Sequence, residues 1–379
     1  MDEIKELYIE PTTYCNLNCT MCSRKSWKNE LKGHMERELF DKIIREIPES
    51  VERIFFGGIG EPLFHPDILY MLNEAKRTGR KVEMITNGTL LDREISREIV
   101  KIGIDTLWIS LDSVEQESYE KIRFGADYPD IKMNIRGFNR ERNPAIWDPV
   151  NSEQPETAKV KLGIAFVLMK SNLLQYKELL SKARSLGIER IKASHLIPHD
   201  ESQIEEICYK RIFDLRIYDP PSWANVKVDM PFLDTRDIDE LDMLPLFSDY
   251  SMSYSIMGSP IAAKPKYCRF AQEGIAFVRW DAEVCPCAAL LHDNTVFQQN
   301  RKRQIRHCSF GNVRDSKLIE IWENEPYFSF RRRVKNFEFS PCSHCATCDL
   351  FESNEEDCSG NTFPVCGACL WARDLIQCP

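Results

Sequence analysis

The sequence predicts an α/β fold: a partial (β/α)6 TIM-like barrel over residues 1–200, a linker over 201–265 and a small Cys-rich domain over 266–379. Three observations predict it. Strand-like and helix-like periodicities alternate through the first ~200 residues, as a parallel sheet requires. The polar and glycine motifs fall at the ends of predicted strands, where parallel βα units put their working loops. Of fifteen cysteines, three lie within 15–22, one is Cys208, and eleven lie between 268 and 379.

The first strand alternates Leu7 and Ile9 and runs into the first Cys loop; a helix with Phe40, Ile43, Ile44 and Ile47 on one face follows. Strand VERIFF leads to Gly57-Gly58, and a helix after Pro66-Asp67 turns Ile68, Leu69, Leu72 and Ala75 inward. Strand KVEMI ends at Thr86-Asn87-Gly88 before a helix carrying Ile95 and Ile99. Strand DTLWISLD precedes a helix that starts near Glu115, and residues 143–158, with three prolines, read as a surface insertion. Strand KVKLGIAFVLM, a helix around 173–185 and strand IERIKAS complete six units.

A 379-residue chain with 43% hydrophobic residues can bury a sizeable core. Its net charge of −9 gives no general attraction for nucleic acid or anionic membrane. The runs Arg301-Lys302-Arg303 and Arg331-Arg332-Arg333 read as solvated faces. No stretch reaches the ~18 apolar residues of a membrane span, and the acidic N-terminus is no signal or transit peptide. A cytoplasmic location follows, and there fifteen cysteines point to metal or redox chemistry and away from disulfides.

Cys15, Cys19 and Cys22 place three thiolates within eight residues directly after a strand. Three thiolates on one tight loop suit three irons of a [4Fe–4S] cube, leaving the fourth open for chemistry. A structural zinc site would need a fourth ligand, and no Cys or His lies nearby. Here the sequence resembles the radical S-adenosylmethionine superfamily, whose Cys-x3-Cys-x-Φ-Cys signature is matched by Cys15, Cys19, Met21 and Cys22. The resemblance implies that S-adenosylmethionine chelates the open iron and is cleaved on one-electron reduction to a 5′-deoxyadenosyl radical that abstracts a substrate hydrogen. It implies a low-potential electron donor of ferredoxin or flavodoxin type.

Gly57-Gly58-Ile59-Gly60-Glu61 resembles the family's glycine-glycine-glutamate motif, with two residues intervening, which implies that Glu61 meets the methionine amino group beside Gly57 and Gly58. By the same resemblance Asn87, Ser110 and Asp112 line the cofactor site, although on the residues alone each could instead cap the helix that follows. Leu168 and Asn172 fall where the family packs the adenine, and His195 faces the same mouth. Asp112, Glu61 and His195 are the candidates for a general base.

Two readings of the C-terminal cysteines stay open. Cys342-x2-Cys345 with Cys366-x2-Cys369 has the spacing of a zinc ribbon. The alternative resembles the SPASM extension of this superfamily, which implies two auxiliary [4Fe–4S] clusters. On that resemblance Cys268, Cys285 and Cys358 serve the first, and Cys342, Cys345, Cys348 and Cys366 the second. The spacings depart from the family pattern, Trp280 stands where relatives carry Gly, and Cys287 and Cys369 remain alternative ligands.

The closing stretch from Cys358 to Pro379 is similar to the maturases encoded with tungsten-cofactor aldehyde oxidoreductases. Maturation of a tungsten–pterin oxidoreductase or its cofactor is therefore one expected function. Peptide modification is a second; the fourteen residues before Cys15 leave no room for a leader-binding domain, which weighs against it. A small-molecule alcohol dehydrogenase is a third. A non-catalytic zinc or cluster module, a different class, would form no deoxyadenosine.

Overall fold

A computed structural model describes residues 2–27, 30–144, 160–209, 253–256 (backbone only), 267–298, 300–340, 342, 348–372 and 376. The barrel units run β1 (Glu6–Ile9), α1 (Arg37–Arg45), β2 (Arg53–Phe56), α2 (Ile68–Arg77), β3 (Lys81–Thr86), α3 (Arg93–Ile102) and β4 (Thr106–Ser110). They continue through α4 (Gln116–Ile122), α5 (Tyr128–Arg142), β5 (Lys161–Leu168), α6 (Leu173–Lys182) and β6 (Arg190–His195). The six strands stand in the expected order and pair in parallel.

The sheet extends beyond these six. β7 (Ser253–Ile256) adds to β6 at one edge. At the other edge β8 (Ile275–Val278), preceded by the short α7 (Arg269–Gln272), pairs in parallel with β1, and β9 (Val284–Cys285) closes it antiparallel. The Cys-rich segment thus shares the barrel's sheet. A hairpin of β10 (Asn294–Gln298) and β11 (Arg301–Ile305) then leads to α8 (Leu318–Glu323) and α9 (Glu325–Asn336). The Trp322 indole N–H donates to the Asp2 carbonyl at 2.6 Å, tying α8 to the chain just ahead of β1.

Helix α5 escaped the sequence reading. Asp127 caps it by accepting from the Asp130 N–H, but its buried face mixes Ile131, Ile135 and Phe138 with Asn139 and Arg142, so the apolar period is broken. The polar members are buried because they work. Arg142 donates to Asn139, Val160 and Gly187 oxygens and pairs with Glu189, joining α5 to the ends of β5 and β6. The two basic runs are also corrected. Arg303 and Arg331 are buried, Arg331 stacking 3.7 Å from the Trp322 ring, while Lys302 and Arg332 are exposed. Successive residues of β11 face opposite ways, and α9 turns one side to the core.

Most of the predicted insertion (145–158) and most of the linker (210–252 and 257–265) lie outside the described residues. Among the described residues no helix is long and apolar enough to cross a membrane. Inside the barrel Tyr8, Phe55 and Glu83 line one cavity, in register across β1 to β3, together with Trp108 of β4, which stands opposite Ile85. The Trp108 indole donates to Glu83 at 2.8 Å, and Arg53 pairs with both Glu6 and Glu83, so the barrel floor is a closed charge network. Gly163 on β5 leaves room for that indole; a Cβ there would lie 2.4 Å from the Trp108 ring.

Candidate active site

The loop after β1 is pinned from several directions. The Asn18 N–H donates to Phe124 O at 3.0 Å and the Thr20 N–H to Ile122 O at 2.8 Å, at and just beyond the end of α4. Arg24 donates to Leu17 O at 2.5 Å, and Gln203 to Thr20 O at 2.5 Å. On the other side the Glu61 N–H donates to Tyr14 O at 2.8 Å. Gly60 makes that approach possible, because a Cβ there would sit 2.1 Å from Thr12 O. Trp280 covers Gly33 in the same way, with 2.0 Å separating its ring from a Cβ position.

Cys15, Cys19 and Cys22 all line one cavity of about 550 Å3 at the C-terminal mouth of the barrel. Each thiol has a donor beside it. The Leu17 N–H lies 3.4 Å from Cys15 Sγ, Arg24 Nε 3.5 Å from Cys22 Sγ, and Arg123 Nη1 3.9 Å from Cys19 Sγ. Burial raises the Cys15 thiol, and pushes that of Cys19 up to about 11. A metal must therefore displace protons on binding here. Two guanidiniums beside three thiols suit an anionic, thiolate-held group.

Arg123 follows α4 in a stretch with no motif, and the sequence reading missed it. It is buried and pairs with Asp112 Oδ2 at 2.7 Å. Burial alone would lower its guanidinium, but the charges of Asp112 and Cys19 outweigh that and hold it above the usual arginine value. Asp112 is itself wholly buried, and its other oxygen accepts from the Val167 N–H at 2.7 Å. It does not line the cavity, and it caps no helix; it stands behind Cys19 and fixes Arg123.

Glu61 lies at the wall of the cavity. Its Oε1 accepts from Thr86 Oγ1 at 2.6 Å and from the Leu63 N–H at 3.0 Å, and its Oε2 from the Asn87 N–H at 2.7 Å. Burial raises this carboxyl, and the three donors pull against that. A carboxylate offers about four acceptor sites, so one remains for a ligand ammonium. Gly58, Asn87 and Ser110 line the same cavity; Gly57 does not, and its lack of a Cβ clears the Phe55 ring, 2.4 Å away. Asn87 is turned to the cysteine loop, donating to Asn16 Oδ1 at 2.9 Å with Cys15 Sγ at 3.8 Å.

His195 ends β6 with 5% of its surface exposed, and among the described residues neither ring nitrogen has a partner. Burial lowers it to about 4, so at neutral pH it is an uncharged imidazole on the cavity wall. The unfolded chain binds this proton near the ordinary imidazole value of 6.5. Stability from keeping His195 neutral is thus complete above that pH and falls as pH drops toward 4. His195→Phe is expected to remove about 3 kcal/mol of that acid-side slope; urea unfolding at several pH values measures it, and an unchanged slope would contradict the assignment.

Across the mouth, His292 joins the Cys-rich segment to the barrel. It bonds Glu10 at 2.9 Å through Nε2 and Glu30 at 3.1 Å through Nδ1, and Glu10 also accepts from the Ile59 N–H at 3.0 Å. Nothing in the sequence pairs these residues. Of the C-terminal cysteines, Cys287, Cys366 and Cys369 reach the same cavity. Cys285 is wholly buried, and Cys358 is exposed and bonded to Ser340 Oγ at 3.2 Å. Cys342 packs under Gly367, Cys348 caps the turn Asp349–Glu352, and Cys345 lies outside the described residues.

The family described as Radical SAM superfamily matches residues 9–148, and the iron-sulfur cluster-binding SPASM domain matches residues 268–349. A relative 31% identical over 99% of this chain and 97% of its own length is the Pyrococcus furiosus tungsten-containing aldehyde ferredoxin oxidoreductase cofactor-modifying protein. The chain belongs to the radical SAM superfamily. An AdoMet-dependent heme synthase of Methanosarcina barkeri is 31% identical over 84% of this chain and 82% of its own. Among solved structures, Streptococcus suis SuiB bound to S-adenosylmethionine superposes with a TM-score of 0.62 at 17% identity, covering 94% of this chain and 73% of that one, and shares the fold.

This radical SAM enzyme uses S-adenosylmethionine and [4Fe–4S] clusters as cofactors. When bound, they supply a one-electron cleavage that yields a 5′-deoxyadenosyl radical able to abstract a substrate hydrogen. The residues present fit them: three thiols with cationic donors, a carboxylate with an acceptor site to spare, and a shared cavity.

Proposed function

We propose that this enzyme matures a tungsten–pterin oxidoreductase or its cofactor, with Cys15, Cys19 and Cys22 holding the catalytic cluster and Gly58, Glu61, Asn87 and Ser110 surrounding S-adenosylmethionine. The end-to-end likeness to a protein described as cofactor-modifying carries the reading. Asp112 and Gly57 support the site from behind. Electrons come from a small low-potential protein of ferredoxin or flavodoxin type, and the C-terminal cysteines hold auxiliary clusters.

The size of the cavity supports a substrate part no larger than a side chain or a cofactor ring. Its volume of about 550 Å3 falls in the ordinary range for small-molecule sites, and S-adenosylmethionine must share it. Peptide modification is the second reading. It is supported by 23% identity over 95% of the chain to the PqqA peptide cyclase of Gluconobacter oxydans.

The test uses anaerobically reconstituted enzyme with dithionite and S-adenosylmethionine. Immature tungsten–pterin oxidoreductase, the free pterin cofactor and unrelated peptides are added in turn. Deoxyadenosine formation is expected to rise severalfold with the oxidoreductase or its cofactor. A rise with peptides alone would replace this reading by the second.

A further inference from the structure

The barrel interior carries side chains that the cofactor site leaves unused. Trp108 stands two residues before Ser110 on β4, on the same face of the strand. Its indole lies flat on the inner wall. A Cβ on Gly163 of the neighbouring β5 would sit 2.4, 2.7 and 2.9 Å from Cε3, Cζ3 and Cδ2, three adjacent ring atoms. Distances that similar place the Cβ position over the face of the ring and not beyond its edge. One face is therefore taken by the β5 backbone. The other is open to the cavity that Trp108 lines, where the residue is half-buried. Tyr8, Phe55 and Phe277 add further rings to the same cavity.

A carboxylate stands at the edge of this platform. Glu83 is buried and lines the cavity; its Oε2 accepts from the Trp108 indole N–H at 2.8 Å, and its Oε1 lies 3.5 Å from Arg53 Nη1. Each carboxylate oxygen has about two acceptor sites, so one on each remains. Such a pair asks for two donors side by side, and a ligand that brings none leaves buried acceptors unpaired. An aliphatic side chain brings none. Adenine sets an acceptor nitrogen beside its amino group, so it would turn a lone pair toward the carboxylate. A lactam N–H next to an amino group, as in a pterin or a guanine, presents two donors on one edge of a flat ring. Its face matches the indole, since aromatic rings prefer offset stacking.

We infer that the barrel interior binds a planar amino-lactam heterocycle, its ring stacked on Trp108 and its two donors held by Glu83. The inference rests on the proposed function for the source of the ring, which is then a pterin; a guanine nucleoside is the other compound of the same chemistry. Arg53, paired with both Glu6 and Glu83, balances the carboxylate and holds it in place. Glu61, Asn87 and Ser110 line the same cavity, so a ring held here shares one space with S-adenosylmethionine. A few convergent polar groups on a mainly apolar wall are what fixes the orientation of a small ligand.

The test uses the anaerobically reconstituted full-length enzyme with S-adenosylmethionine and no reductant, so that nothing is consumed. Equilibrium dialysis measures the binding of hydroxymethylpterin, its lactam N-methyl derivative, guanosine and S-adenosylmethionine itself. Wild type, Trp108→Leu and Glu83→Gln are compared, with circular dichroism on each. Hydroxymethylpterin is expected to bind wild type, and to bind either variant about tenfold more weakly, the usual size of a lost stacking or bidentate contact. The N-methyl derivative keeps the ring and loses one donor, and should bind wild type about tenfold more weakly than its parent. If guanosine binds with this dependence and the pterin does not, the site stands and the tungsten–pterin reading falls. If neither binds, or if the N-methyl derivative binds as tightly as its parent, the inference is overturned. It is overturned also if Trp108→Leu weakens S-adenosylmethionine as much as the pterin, since the indole would then carry the adenine. Should a variant be unfolded, the comparison of the two pterins on wild type decides.

Discussion

Changing Cys15, Cys19 and Cys22 together to Ala is expected to lower iron by about four per chain and to abolish deoxyadenosine formation. The structure gives the reason. All three thiols open on one cavity, each with its own donor, and no other described cysteine shares their loop. The auxiliary iron should survive, because the C-terminal cysteines belong to separate segments. Anaerobic reconstitution followed by iron assay and chromatography of the nucleoside product measures both effects. Full deoxyadenosine formation in this variant would move the chemistry elsewhere in the chain.

Asp112→Asn is expected to have the second largest effect, and to act on the fold and the first cluster. Asn can still accept from the Val167 N–H, but the charge facing Arg123 is lost, leaving a buried guanidinium unpaired beside Cys19. Breaking a buried pair from one side costs about 3–5 kcal/mol. Urea unfolding of the iron-free protein should show that loss. After reconstitution the first cluster should load poorly, because Arg123 no longer holds its place by Cys19. If Asp112→Asn instead left stability intact and only weakened S-adenosylmethionine binding, Asp112 would be a cofactor contact, as the sequence alone implied.

That contrast marks the limit of motif reading. Ser110 ends β4, where cofactor contacts are expected, but Asp112 lies two residues beyond the strand, where strand alternation no longer sets the direction of a side chain. Ser110 points into the cavity, and Asp112 meets Arg123 behind it. Arg123 carried no local signal because its partners lie 11 and 104 positions away. A separation of 282 positions hid the Glu10–His292 contact.

Local pattern was enough for the rest of the barrel. Short-range periodicity identified β1 to β6 in order, because a strand or helix shows its buried face within a few residues. The cysteine loop was legible for the same reason: ligands on one tight loop must be neighbours in sequence. Helix α5 was not, since its buried Asn139 and Arg142 look like surface residues until Gly187 and Glu189 are packed beside them.

By itself, then, the sequence determined the fold class, the order of the barrel elements and the three-cysteine loop after β1, all of which depend on contacts within a few residues. Only the tertiary structure decided that β8 joins the barrel sheet beside β1, that Arg123 and Arg24 stand by the thiols, and that Cys268, Cys287, Cys366 and Cys369 meet. Their spacing along the chain follows from the lengths of intervening loops, and loop length changes cheaply. Which cysteine faces which cavity is set by packing, and packing is decided in three dimensions.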